Sequence, residues 1–327
     1  MNVRRLIPTA AVASATVLGL TALSACSSSS AADKNGDGKL NVTASFYPMQ
    51  YLAQEIGGEH VSVDTLTKPG VEPHDLELSP KQTAFLGESD FILYLKGIQP
   101  AVDDAIGQSG VKNTVDAATL TKLEKHGSGV GHDHGHDEGD EHAEEEEHGH
   151  ESEAGADPHI WLDPVKYAEV AEGVGKALEK ADPDHAADYK KNTKALVKKL
   201  DGLNTKFEDG LKNTKSKTFI TTHSAFGYLA ERYGLEQESI AGVDPESDPS
   251  PARIKELQDI AKEDKVSTVF FETLASDKTA KTLANDAGLK TDVLDPLEGI
   301  TDKSKGDDYI GVMESNLAAL QKALGAK

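Results

Sequence analysis

The sequence predicts an α/β protein: two α/β lobes with parallel sheets, joined by a long rigid helix. Two observations predict it. Short apolar segments alternate with helical patterns on both sides of the chain's middle, and the middle carries helix formers with no strand pattern. At roughly 100–200 residues per domain, 327 residues are enough for two such lobes. With 37% hydrophobic and 28% charged residues, the chain is neither fibrous nor wholly disordered.

The strand segments come in order at Leu40–Phe46, Val61–Thr67, Phe91–Lys96, Thr218–Thr222, Val266–Phe271 and Thr291–Leu294. Helical patterns lie between them at Pro48–Ile56, Pro80–Gly87, Phe226–Tyr233, Pro251–Ala261 and Lys278–Asp286. Ser79-Pro80, Asp163-Pro164 and Ser250-Pro251 each set a capping side chain before a proline at the first helical position. Gly234 and Gly288 fall where helices need a left-handed residue to end.

From Pro164 to Leu211 only helix formers occur, with one break at Asp182-Pro183. Beyond the break, Tyr189, Leu196, Leu200, Leu203, Phe207 and Leu211 recur at helical spacing and make one apolar stripe. The stripe describes a helix of about thirty residues, roughly 45 Å long at 1.5 Å per residue. It is too short in heptads for a coiled coil and reads as the connection between lobes.

The chain therefore divides into a leader (1–25), a tether (26–38), a first lobe (39–163), linking helices (164–213) and a second lobe (214–327). Arg4 and Arg5 precede an uncharged run from Leu6 to Ala25 that ends at Cys26, the pattern of a secretory signal. Leu23-Ser24-Ala25-Cys26 looks like a lipobox, which makes Cys26 the lipidation site and the chain a lipoprotein. Asp33 to Gly38 imitates the first half of a calcium loop. The position that needs a bidentate Glu is Ala44, so a polar linker is the better reading.

Net charge is −22, from 34 basic and 56 acidic residues. An excess this acidic argues against nucleic acid as a partner. One cysteine excludes a disulfide framework and a Cys-rich zinc finger. Half of the acidic excess sits between His132 and Glu153, and seven of the twelve histidines lie in or beside that stretch. Residues 127–156 hold almost nothing to bury, so the sequence makes them a mobile insert in the first lobe. Its His132, His134, His136, His142, His148 and His150, among carboxylates, read as an auxiliary collector of cations.

Five histidines remain: His60, His74, His159, His185 and His223. His74, His159 and His223 follow strand-like segments, where loops of parallel α/β sheets form ligand crevices. Prolines beside His74 and His159 restrict where those rings point. Three imidazoles make a zinc-like ligand set, although any one of them alone is more readily a capping or core histidine. His60 and His185 read as surface residues.

These segments resemble the metal-binding lipoproteins of bacterial ABC importers for zinc and manganese. The likeness rests on Pro69-Gly70 and Pro73-His74, on Asp157-Pro158-His159-Ile160-Trp161-Leu162-Asp163-Pro164, and on Thr222-His223-Ser224-Ala225-Phe226. It continues through Val269-Phe270-Phe271-Glu272 and Leu294-Asp295-Pro296-Leu297. It implies one metal buried between the lobes, with His74 and His159 from the first and His223 from the second. The fourth ligand falls on Asp295, with Glu272 or water as substitute. The cargo expected is Zn2+, because three nitrogens and one carboxylate suit it better than Mn2+; a Mn2+ or Fe2+ binder of the same family is the alternative.

The resemblance further implies a monomer, lipid-anchored on the outer face of the bacterial cytoplasmic membrane, that serves an ABC permease. The ATPase is expected on another chain, since the Gly-Lys pairs at 38–39 and 175–176 lack the following Ser or Thr of a phosphate loop. No enzyme is expected. A zinc hydrolase is the first alternative class, and neither a His-Glu-x-x-His pair nor a G-x-S-x-G elbow supports it. A surface adhesin is the second.

Overall fold

The computed structural model describes residues 38–126 and 156–326. The leader, Cys26, the tether up to residue 37, and residues 127–155 with their six histidines lie outside the described residues. Within them no helix is long and apolar enough to cross a membrane.

The first half is built on β1 (Leu40–Ala44), α1 (Tyr47–Gly57), β2 (Val61–Thr65), α2 (Pro80–Leu86), β3 (Phe91–Tyr94), α3 (Pro100–Ser109) and β4 (Thr114–Asp116). Its strands pair in parallel in the order β2-β1-β3-β4. The second half holds β5 (Thr218–Thr221), α6 (Gly227–Arg232), β6 (Glu236–Ser239), α7 (Pro251–Glu263), β7 (Thr268–Phe271), α8 (Lys278–Ala287), β8 (Lys290–Val293) and α9 (Tyr309–Leu324). Its order is β6-β5-β7-β8, again all parallel. The α/β class follows the sequence expectation.

Four elements escaped the sequence reading: α3, α9 and the edge strands β4 and β6. The proposed caps are in place. Ser79 and Gln82 form a reciprocal capping box on α2, Ser250 accepts from Arg253 N, and Asp163 accepts from Val165 N. Gly288 takes φ +69° at the end of α8.

Between the sheets lie α4 (Pro164–Ala181) and α5 (Ala186–Leu211), which pack together as a helical hairpin. At 26 residues α5 spans about 39 Å. Its predicted stripe is buried throughout, from Tyr189 to Leu211. Towards the first half α5 packs on α1, and towards the second on α9. Gly175 of α4 permits the closest approach within the hairpin, since a Cβ there would lie 2.2 Å from Thr193 Oγ1.

One apolar core runs through both halves, from Leu40, Phe46 and Trp161 to Phe219, Phe270 and Tyr309. Tyr309 stacks on Tyr51 at 5.4 Å and lies 4.7 Å from Tyr167, so α9 of the second half is seated on the first. The Trp161 indole donates to Pro296 O at 2.7 Å, and Arg232 of α6 clamps Asp163 with two bonds of 2.6 and 2.9 Å. Burial and polar contacts together hold the halves in one arrangement.

Candidate metal centre

Each of the four converging side chains sits beyond the carboxyl end of a parallel strand, where the main chain leaves the sheet and its side chains are free to converge. His74 lies on the connection from β2 to α2. His159 lies between β4 and α4 just before a short 3-10 turn (Ile160–Leu162), His223 just after β5, and Glu298 after β8. The three imidazole rings approach to centroid distances of 5.4, 5.6 and 6.1 Å. Their Nε2 atoms lie 3.3, 3.4 and 3.2 Å from one oxygen, Oε1 of Glu298.

Those separations match a four-coordinate cation. Zinc–nitrogen and zinc–oxygen distances of about 2.0–2.1 Å put tetrahedral ligand atoms about 3.3 Å apart. The other oxygen of Glu298 is buried with no hydrogen-bond partner among the described residues, and His159 Nε2 likewise makes no hydrogen bond. Leaving such atoms unsatisfied is costly, and a cation at their common focus would satisfy them.

The far sides of two rings are fixed. His159 Nδ1 donates to Asp157 Oδ1 at 2.7 Å, and His223 Nδ1 donates to Glu272 Oε1 at 2.9 Å. A carboxylate on Nδ1 turns Nε2 inward and raises its basicity as a ligand. His74 is held by its main chain instead, because Glu72 accepts from the His74 and Asp75 amides. His159, His223 and Glu298 are fully buried, while the His74 side chain keeps 8% exposure on the irregular connection that carries it.

The electrostatics follow from that packing. Burial by itself would lower the His223 imidazolium, yet Glu272 and Glu298 beside it hold it well above the ordinary 6.5. His159 is raised against the same burial by Asp157 and Glu298. Burial pushes Glu298 up, but the three imidazoles around it hold it well below the usual carboxylate value. Glu72, half-buried and facing Glu298, is pushed up to about 7 by that desolvation and by the Glu298 charge. The centre is an anionic carboxylate inside a ring of imidazoles.

Of the sequence candidates, His74, His159 and His223 converge and Asp295 does not. The Asp295 carboxylate accepts from Leu297 N at 2.9 Å, Ser304 Oγ at 2.8 Å and Thr273 Oγ1 at 3.2 Å, which turns it away from the rings. Glu272 meets His223 Nδ1 and Thr222 Oγ1 through Oε1, on the far side of that ring, and it does not join the converging set of His74, His159, His223 and Glu298. Glu298 was missed. The bond from Leu297 N to Asp295 closes a tight turn in which Leu297 takes φ +59°, and the turn delivers Glu298 into the cleft. The signal was a second carboxylate three residues past Asp295. His60 and His185 also differ from expectation: their rings stack at 3.9 Å, half-buried, tied to Asp188 and Asp182.

The family model for the zinc-uptake complex component A, periplasmic (ZnuA), matches residues 42–323. The chain belongs to the ZnuA family. It is 39% identical over 314 residues to the high-affinity zinc uptake system protein ZnuA of Bacillus subtilis, covering 93% of this chain and 94% of that one. The zinc-binding lipoprotein AdcA of Streptococcus pneumoniae is 38% identical over 306 residues, 92% of this chain. The chain spans only 58% of AdcA's length. Among solved structures, the Zn(II)-bound ZnuA-like domain of that AdcA superposes with a TM-score of 0.71 at 33% identity, covering 88% of this chain and 99% of the domain.

Proposed function

We propose that this ZnuA-family chain takes Zn2+ as its cargo, holds it with His74, His159, His223 and Glu298, and passes it to an ABC permease powered by a separate ATPase chain. The observation that carries the reading is the equal spacing of three Nε2 atoms around one Glu298 oxygen, at 3.2–3.4 Å. Two ligands from each half close the shell, which suits capture rather than catalysis, since a catalytic zinc keeps an open position. Three nitrogens favour Zn2+ over Mn2+. Anchoring through Cys26 would keep the protein, as a monomer, on the outer face of the cytoplasmic membrane, and the His-rich residues 127–155 would collect cations nearby.

Release need not part the two halves. The core and the Trp161–Pro296 bond cross between them, so a wide hinge opening would expose apolar surface. His74 rides on a connection without regular structure, and withdrawing that ligand alone would open the shell. Zinc titration of the mature protein tests the proposal. One tight equivalent is expected, weakened at least about a hundredfold by His223→Ala and retained when residues 127–155 are deleted. A tight equivalent that survives His223→Ala, or disappears with the deletion, overturns it.

A further inference from the structure

A second set of ligating atoms converges outside the three-imidazole centre. Glu124 and His126 come from the stretch after β4, and Glu231 comes from α6 of the other half; one ligand atom from each lies within 4.8 Å of the others. His126 Nε2 is 2.9 Å from Glu231 Oε2, and its Nδ1 donates to Asp157 Oδ2 at 2.8 Å. With a carboxylate on each nitrogen the metal-free ring donates on both sides; a cation bound at Nε2 would replace that proton, and Asp157 on Nδ1 would then orient the ring. Asp157 serves both places at once: Oδ1 orients His159 and Oδ2 orients His126.

The local backbone accommodates this arrangement. Gly227 opens α6, and a Cβ there would lie 2.5 Å from the His126 side chain and 2.9 Å from Asp157 Oδ2. Only glycine lets α6 bring Glu231 this close. Glu124 also accepts from Lys166 Nζ at 3.1 Å, a cation that tempers the site without filling it. Solvent reaches the cluster, with the Glu231 side chain 61% exposed and that of Glu124 31% exposed.

We propose that Glu124, His126 and Glu231 form a second, solvent-facing site for a divalent cation such as Zn2+, one carboxylate away from the buried centre and bridging the two halves. One imidazole and two carboxylates suit borderline cations. Fewer nitrogens and greater exposure make the site weaker and faster to exchange than the buried one. A cation there takes over the role of the His126–Glu231 contact and keeps Asp157 turned towards His159. The acidic His-rich stretch begins in sequence at the next residue, Gly127.

The test uses the mature full-length protein and, beside it, the same protein lacking residues 127–155, so that Co2+ collected by those histidines is counted apart; each is preloaded with one equivalent of Zn2+ and titrated with Co2+ by equilibrium dialysis. Wild type should bind a further Co2+ equivalent that Glu231→Gln and His126→Gln each weaken at least about tenfold. Glu231→Gln, isosteric and on the surface, should leave the first zinc equivalent unchanged. A Co2+ equivalent held within twofold of wild type by both variants overturns the site. In His223→Ala the buried equivalent should be lost while the Co2+ equivalent remains, so failure of one site is read apart from failure of the other.

Discussion

At the scale of residues, the centre depends as much on what stands behind the imidazoles as on the imidazoles themselves. Asp157→Asn and Glu272→Gln should each weaken zinc binding about 10–100-fold in titration, because the ring behind each loses its orienting carboxylate. Asp295→Asn should leave affinity within about twofold, since its carboxylate is spent on Leu297, Thr273 and Ser304. Protonation gives a further prediction. Raised imidazoles at 159 and 223 stabilise the metal-free fold fully below about 6.5, and this is lost as pH rises through their folded values. The depressed Glu298 contributes stability above about 4.5 that is lost as pH falls. The metal-free protein should therefore be most stable in the weakly acidic window between them. Zinc must displace protons from the same rings, so the zinc-induced rise in Tm should be larger at about pH 8 than at about pH 6. Equal rises at both would contradict this. The three histidines were legible jointly, from their loops after strands, from the prolines beside His74 and His159, and from the family resemblance of the segments that carry them. Glu298 was not, because nothing in Asp295-Pro296-Leu297-Glu298 says which carboxylate the turn consumes and which it presents.

At the scale of elements, legibility followed burial. The strands inside each sheet, such as Phe91–Tyr94, carry continuous apolar runs, and the stripe of α5 predicted its buried face residue by residue. Two of the four edge strands left little pattern: Glu236-Gln237-Glu238-Ser239 is wholly polar and Thr114–Asp116 is three residues long. The helix α9 is a different kind of miss, since Tyr309, Val312, Met313, Leu317, Leu320 and Leu324 do recur at helical spacing behind an Asp308 cap. The hairpin of α4 and α5 yields a prediction whose sign opposes helix propensity. Gly→Ala within a helix ordinarily gains about 1 kcal/mol. Gly175→Ala should instead destabilise by about 1–3 kcal/mol in chemical denaturation. Thr193 Cβ and both of its branches lie within 3.1 Å of the added methyl, so no rotamer of that side chain clears it. A stabilised Gly175→Ala variant would show that the helices can slide apart cheaply.

At the scale of the molecule, two parallel sheets present their carboxyl ends to one cleft, and a shared core fixes the distance between them. Because that core is continuous, zinc loading should change the radius of gyration in solution scattering by no more than about 1 Å. The connection that carries His74 should show the larger change in amide hydrogen exchange. Two lobes and a joining helix were legible from the alternation of strand and helix patterns; the core shared between them was not, because a list of apolar residues does not say which half they pack against. The central claim is that four side chains, two from each half, grip one cation. A crystal structure of the mature protein with one equivalent of Zn2+, read at the zinc absorption edge, tests it most directly. A single zinc is expected, with His74, His159 and His223 Nε2 and a Glu298 oxygen each at about 2.0–2.2 Å; zinc bound by Asp295 in place of Glu298, or held away from these imidazoles, would contradict the four-ligand grip.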